Sequence, residues 1–403
     1  TAPVTLSFGT DWSSGVRGDI MKQALALFAQ QHPTVTLDRH DIGDDYFTRV
    51  AGDFAAGTQD DVTLFDGPQF DHFRKLGKFV DLTPLLKARR VDPAATHTRA
   101  DPVYTPDGKR YAMPFQLTVG AWFVNKTLFR QEGLAPPTDA WTWNEWADAA
   151  RRLTKADKNQ WGLGPALNTN LQVSVLPLLI SNGAHHVSED GRQTTLTAPA
   201  ALETIRWVAD RVTRDQSWAA PGVAGVGFPS GNVAMAWGNT GSIGNSANGW
   251  VQSISDKFEW DVMPQPKAPK TGRSVTTFNE QPYVITTKDR GAAGRVEAGL
   301  SVLLHLAGKD VQSLIAAQRG STPVLRELAR TSPYLDAPPA SMGVINRSLD
   351  TLAEIRFFAG YLEWRDAYAG ALQEIWTGKI APDAGAQKAV DAGNAALARQ
   401  GAK

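Results

Sequence analysis

Several short stretches of this sequence put carboxylates next to aromatic rings or at the ends of apolar runs. They are Asp11-Trp12 within GTDWSSGVRG, Asp44-Asp45-Tyr46 after Gly43, and Asp66 after Val62-Thr63-Leu64-Phe65. A carboxylate accepts hydrogen bonds from hydroxyls, and a ring offers a flat apolar face. Together they suit a molecule with a C–H face and a rim of hydroxyls. Further polar candidates are Gln116 and Thr118, Asn239 beside Trp237, the run Asn279-Glu280-Gln281, and the cations Arg319 and Arg356. Each has a plainer alternative. The aspartates can cap helices, Tyr46 can begin one, the tryptophans can pack a core, Arg319 can cap a helix at 310–318, and Arg356 can be an ordinary helix charge.

The elements that must position these residues follow from periodicity. Val4, Leu6 and Phe8 alternate as in a strand. Ile20, Met21, Ala24, Leu27 and Phe28 mark one helix face, which stops before Pro33. Val35 and Leu37 read as a strand, Tyr46–Ala56 as a helix, and 62–65 as a short buried strand. Strand and helix alternation of this kind predicts a parallel α/β sheet with right-handed crossovers. Ligands of such sheets sit beyond the carboxyl ends of the strands, which is where Asp11, Asp44, Asp45 and Asp66 fall. Later, Thr142 and Glu145 form a capping box ahead of a helix whose Trp143 and Trp146 face its own core. Helices are expected at 171–180, 197–214, 292–307 and 310–318. Strands are expected around Val233–Trp237 and Tyr283–Thr286.

Composition narrows the function. A chain of 403 residues is long enough for two or three domains. Lysine plus arginine and aspartate plus glutamate both number 41, so no global basic field favours nucleic acid. Cysteine is absent, which removes disulfides, thiol nucleophiles and thiolate metal sites. His185-His186 has no acidic or histidine partner at ligand spacing, and adjacent side chains diverge on regular elements. No metal and no cofactor is therefore expected. The motifs of serine hydrolases, phosphate-binding loops and zinc proteases do not occur, and the G-x-G at Gly225 lacks its third glycine.

Five motifs in order carry a resemblance. Tyr111-Ala112-Met113-Pro114 leads through Trp122-Phe123-Val124-Asn125-Lys126 to Leu128-Phe129 and Gly133-Leu134. Pro136-Pro137 precedes Thr142-Trp143-Asn144-Glu145-Trp146. Phe228-Pro229-Ser230-Gly231-Asn232-Val233-Ala234-Met235 follows, then Val262-Met263-Pro264. The last is Ala371-Leu372-Gln373-Glu374-Ile375-Trp376-Thr377-Gly378-Lys379. In this order they resemble the extracellular solute-binding proteins of ABC importers, in particular the sugar-binding family. The resemblance implies an α/β, two-lobed periplasmic-binding-protein (venus-flytrap) fold with three interlobe crossings. Lobe one would comprise 1–113 plus 282–322, and lobe two 114–281 plus 323–403. It also implies an exported, periplasmic or otherwise extracytoplasmic monomer, with or without a lipid anchor. Such a protein would capture a carbohydrate, an oligosaccharide foremost, in an interlobe cleft and deliver it to ABC permease transmembrane subunits, without catalysis. In that setting Trp12 and Trp237 are the expected stacking rings, and the polar candidates named above are the expected hydroxyl partners. A glycerophosphodiester or other phosphorylated polyol is an alternative ligand, for which Arg319, Arg356 and the glycines at 238–244 would serve. A glycoside hydrolase, which needs two carboxylates flanking the scissile bond, and a chemoreceptor adaptor are alternatives of other classes.

Overall fold

The computed structural model describes residues 2–43, 46–98, 104–164, 167, 175–244, 249–288, 294–358 and 360–401. In chain order its strands are β1 (Val4–Thr10), β2 (Val35–Asp41), β3 (Val62–Leu64), β4 (Ala112–Asn125), β5 (Trp161–Gly164), β6 (Val233–Asn239), β7 (Trp260–Met263), β8 (Thr276–Ile285), β9 (Thr322–Pro323) and β10 (Leu352–Ala353). The chain forms two α/β units. Unit one is Thr1–Thr118, Ile243–Gly249 and Asn279–Leu335, and unit two is Val119–Ser242, Trp250–Phe278 and Asp336–Lys403. Both β4 and β8 contain a unit boundary, at 118/119 and 278/279. Among the described residues no helix is long and apolar enough to cross a membrane.

In unit one, β1 pairs in parallel with β2 and β3, and β3 pairs antiparallel with β8 through Val62–Ile285, Thr63–Val284 and Leu64–Tyr283. The alternation read in 4–8 buries Leu6 and Phe8. Against them lies α1 (Gly15–Gln31), whose buried residues are Ile20, Met21, Ala24 and Phe28; Leu27, the fifth residue of the face expected from helical spacing, is only half-buried. A second cluster is aromatic. Phe54 of α2 (Tyr46–Ala56) stacks on Phe73 of α3 (Gly67–Lys75) at 4.4 Å, and Phe65, Phe70 and Phe79 close around them.

The last segment of unit one runs on to Leu335, beyond residue 322 where lobe one was expected to end. The cause is Gln312, in the helix Lys309–Gln318. Its Nε2 donates to the carbonyls of Phe115 (2.9 Å) and Leu306 (3.0 Å), and its Oε1 accepts from the Val324 N–H at 2.8 Å. β9 pairs with Gln116 and Leu117 of β4, and Thr322 Oγ1 bonds the Tyr334 hydroxyl at 2.7 Å. These bonds hold 322–335, and the 114–118 stretch expected in lobe two, to unit one.

In unit two, β4 pairs antiparallel with β6 and β7, and β6 pairs in parallel with β5. The core is rich in tryptophan: Trp122 meets Trp146 edge-on at 4.5 Å and Trp237 at 5.3 Å, while Trp146 stacks on Trp207. The capping box at Thr142 is present, with the Glu145 carboxylate accepting from the Thr142 N–H at 2.8 Å. The helix expected over 197–214 is α-helical only for Pro199–Ala209. It widens into a π turn at Asp210–Arg214, where Arg211 swings inward to pair with Asp215 at 2.7 Å. Of the helix expected at 171–180, residues 176–180 belong to the observed Leu176–Ser181, and 171–174 lie outside the described residues.

Helix Trp143–Leu153 lies so close to β5 that a Cβ at Gly162 would stand 2.1 Å from the Ala150 carbonyl oxygen and 2.5 Å from its Cα. Both are backbone atoms and cannot rotate away. Gly162→Ala should destabilise unit two by about 2–3 kcal/mol. Gly52→Ala, on an exposed helical site with nothing within 4 Å, should stabilise by about 0.5–1 kcal/mol. Equal denaturant midpoints for the two variants would contradict this packing.

Candidate functional site

The carboxyl ends of β1 and β3 deliver Asp11 and Asp66 to one polar group in unit one. Asp66 leaves β3 extended and caps α3, accepting from the Gly67 N–H at 2.8 Å, with Pro68 in the first turn. Its other oxygen accepts from Gln281 Nε2 at 3.1 Å and from Asn279 Nδ2 at 3.5 Å. Asn279 and Gln281 reach it together because alternate residues of β8 share a face. Glu280 therefore points the opposite way. It is buried, its carbonyl accepts from the Tyr104 hydroxyl at 2.7 Å, and its carboxylate acts electrostatically on Arg110.

Burial dominates the electrostatics. It pushes the Asp66 carboxyl up to about 6, against the lowering effect of Gln281, the Gly67 N–H and Asn279. Burial likewise raises Asp11, which the Arg17 guanidinium, the backbone and the Gln281 side chain partly offset. The Tyr46 hydroxyl donates to the Leu64 carbonyl at 3.0 Å, and burial together with the Asp66 charge holds it well above the usual phenol range. Several buried acceptors have no donor among the described residues: Asp11 Oδ1, Asn279 Oδ1, Gln69 Oε1 and Gln116 Oε1. An unmet buried acceptor is costly, which makes these atoms candidates for donors beyond the described residues.

Asp11, Tyr46, Asp66, Asn279 and Gln281 thus form one group. Gln116 is 1% exposed on β4 opposite Pro323, and among the described residues no hydrogen bond links it to that group. Thr118 is half-buried at the end of the unit-one stretch of β4. Asp44 and Asp45 lie outside the described residues. Glu280 faces away, as above. Arg319 is buried and ends helix Lys309–Gln318 in the left-handed conformation (φ 53°), a backbone role as that helix's C-cap. In unit two, Asn239 Oδ1 closes its own turn on the Gly241 N–H at 2.9 Å, and Arg356 donates to the Val187 carbonyl at 2.8 Å.

Both expected stacking rings need correction. Trp12 is fully buried, with its ring edge-on to Phe115 at 4.7 Å and the Arg17 guanidinium 5.4 Å from its centroid. It is a platform for Arg17. Trp237 is opposite Trp122 across the β4–β6 pair, and its ring occupies the space a side chain at Gly120 would fill. It is a packing residue of unit two. His186, half of the histidine pair, is also buried and lies 4.9 Å from Trp364.

Arg17 is the group the sequence reading missed. It sits in the first turn of α1, and its Nε donates to the Gly320 carbonyl at 3.0 Å. Its sequence signal was present: a cation six residues after Asp11, at the start of the helix which that loop feeds.

Two outcomes check this account. Trp237→Ala should cost unit two about 3–5 kcal/mol in a denaturant melt. The Asp66 carboxyl holds its proton longer in the folded chain than in the unfolded one. Its charge is therefore a penalty that is absent below about pH 4 and complete above about pH 6, worth about 3 kcal/mol in full. Stability measured across that window should fall less steeply with rising pH in Asp66→Asn than in the parent; parallel curves would contradict the burial of this charge.

A family profile described as bacterial extracellular solute-binding protein matches residues 12–290, more than half of the chain. A binding protein of Brucella abortus (strain 2308) is 23% identical over 395 residues, covering 92% of this chain and 88% of the relative. Among solved structures, an ABC substrate-binding protein of Listeria monocytogenes in complex with cycloalternan gives a TM-score of 0.85 at 21% identity, over 98% of this chain and 99% of that one. UgpB of Mycobacterium tuberculosis in complex with glycerophosphocholine gives 0.83 at 20% identity, over 99% of each. The likenesses extend the two-unit α/β architecture to structures with different ligands. On the strength of the family match, the chain belongs to the bacterial extracellular solute-binding proteins, and its role is binding, not catalysis.

Proposed function

We propose that this chain is the substrate-binding component of an ABC importer that captures a carbohydrate, an oligosaccharide foremost, and delivers it to membrane permease subunits as an exported monomer. The observation that carries this is the set of buried acceptors without donors beside Asp66, chiefly Asp11 Oδ1 and Asn279 Oδ1. Sugar hydroxyls would supply the missing hydrogens. Asp11, Tyr46, Asp66, Asn279 and Gln281 are the proposed unit-one contacts, with Asp44, Asp45, Gln116 and Thr118 as further proposed members. Passages of the chain at 118/119, 278/279 and 335/336 are the proposed interlobe crossings about which capture works, by favouring a closed over an open state. Relatives of similar fold support the reading through their ligands: cycloalternan, maltose and maltotriose among them.

A second reading, a glycerophosphodiester ligand, draws on Arg17, whose guanidinium is held, among the described residues, at Nε alone, and on the glycerophosphocholine complex of UgpB. A thermal-shift screen followed by calorimetry over maltose, maltotriose, cycloalternan, α-D-tagatose and glycerophosphocholine tests both. At a hundredfold excess over Kd the bound ligand should add about 2.7 kcal/mol of stability. A carbohydrate as the tightest member supports the first reading. A response to glycerophosphocholine alone replaces it with the second, and silence across the panel sinks both.

A further inference from the structure

Arg17 lies over the Trp12 ring and is an electrostatic neighbour of Asp11, and both side chains have hydrogen-bonding groups without a partner among the described residues. Arg17 is anchored at Nε to the Gly320 carbonyl and lies over the Trp12 ring. Among the described residues, Nη1 and Nη2 donate to no acceptor and form no ion pair. Asp11 Oδ1 is buried without a donor, although the two charges are close enough to act on each other. A guanidinium and a carboxylate that are electrostatic neighbours would ordinarily close into a bidentate pair. Here no direct bond joins them among the described residues, and the Arg17 Nε is engaged by the Gly320 carbonyl.

We propose that Asp11 and Arg17 form a split donor–acceptor pair that reads a vicinal diol, one hydroxyl donating to Asp11 Oδ1 and its neighbour accepting from an Arg17 Nη–H. This rests on the reading that the unit-one group binds a hydroxyl-bearing ligand, and it names the chemical feature selected. A phosphodiester oxygen would satisfy Arg17 but bring no hydrogen to Asp11, leaving a buried anion unpaired beside a second anion. A diol satisfies both at once. The feature is common to sugar rings and to the free glycerol end of a glycerophosphodiester, so the pair is a diol reader on either ligand.

The test is calorimetry with the parent, Asp11→Asn, Asp11→Ala, Arg17→Met and the Asp11→Ala/Arg17→Met double variant, against the tightest member of the panel above. Each variant's denaturant melt shows that it folds. Asp11→Ala and Arg17→Met should each weaken binding on the order of tenfold to a hundredfold. Asp11→Asn keeps an acceptor and should lose less. The double variant should lose clearly less than the product of the two single losses, because both residues hold one diol. Inorganic phosphate at millimolar concentration should not compete, and phosphocholine, which lacks the diol, should not bind. Unchanged affinity in Asp11→Ala, fully multiplicative losses, or phosphate competition that Arg17→Met abolishes would overturn the diol pair while leaving the carbohydrate reading intact. If no panel member binds the parent, the hydroxyl-ligand reading falls and takes the pair with it.

Discussion

Unit one is arranged around the problem of burying the Asp66 carboxylate. A buried carboxylate is tolerable only when hydrogen-bond donors converge on it. Those donors come from two elements: the first N–H of α3, and the amides of Asn279 and Gln281 on β8. The requirement fixes several things together. It sets where α3 begins, it selects which face of β8 meets the sheet end, and it forces Glu280 to the other side. Because β8 enters unit one at Asn279, the same bonds secure the strand at its first residues there. The electrostatic cost left over shows in the raised proton affinity of Asp66 and in that of Tyr46 next to it.

Much of the framework was legible because it depends on local rules. The alternation of Leu6 and Phe8, the helical stripe from Ile20 to Phe28, and the Thr142–Glu145 capping box each need only a few neighbouring residues to be decided. The resemblance supplied the family. Within the candidate site, Asp66, Asp11, Asn279 and Gln281 could be named because they end strands or interrupt apolar runs with polar groups. What could not be read was direction. Trp12 and Trp237 adjoin glycine- and asparagine-rich loops, yet both rings turn inward, Trp12 beneath Arg17 and Trp237 onto the bare backbone of Gly120. A loop neighbourhood says nothing about which side of the chain a ring occupies. Arg17 escaped notice for the converse reason: its importance comes from a carbonyl 303 residues away in sequence.

The tryptophans of unit two show a related point. Trp122, Trp143, Trp146, Trp218 and Trp237 fill one continuous core, with Trp207 packed at its edge. Several of their indole N–H groups are buried without acceptors among the described residues, those of Trp122, Trp143, Trp146 and Trp237 included. A large ring gains more from burial and edge-to-face contact than it loses at one weakly polar nitrogen. An unmet indole N–H is therefore a poorer marker of a ligand site than an unmet carboxylate oxygen, whose desolvation is far more costly. The acceptors of unit one carry the functional argument for that reason.

Gln312 holds three separate stretches of backbone with one amide: Phe115, Leu306 and Val324. In terms of modular exchange, that side chain defines what can be moved as a piece. A chimera cut at the proline of β9 would separate Val324 from Gln312 and Thr322 from Tyr334, leaving buried polar groups of both parents unmet. A cut after Leu335 carries the whole set together. Recombination among relatives, in the laboratory or in descent, is thus constrained at a framework glutamine, and the transferable unit ends where its hydrogen bonds do.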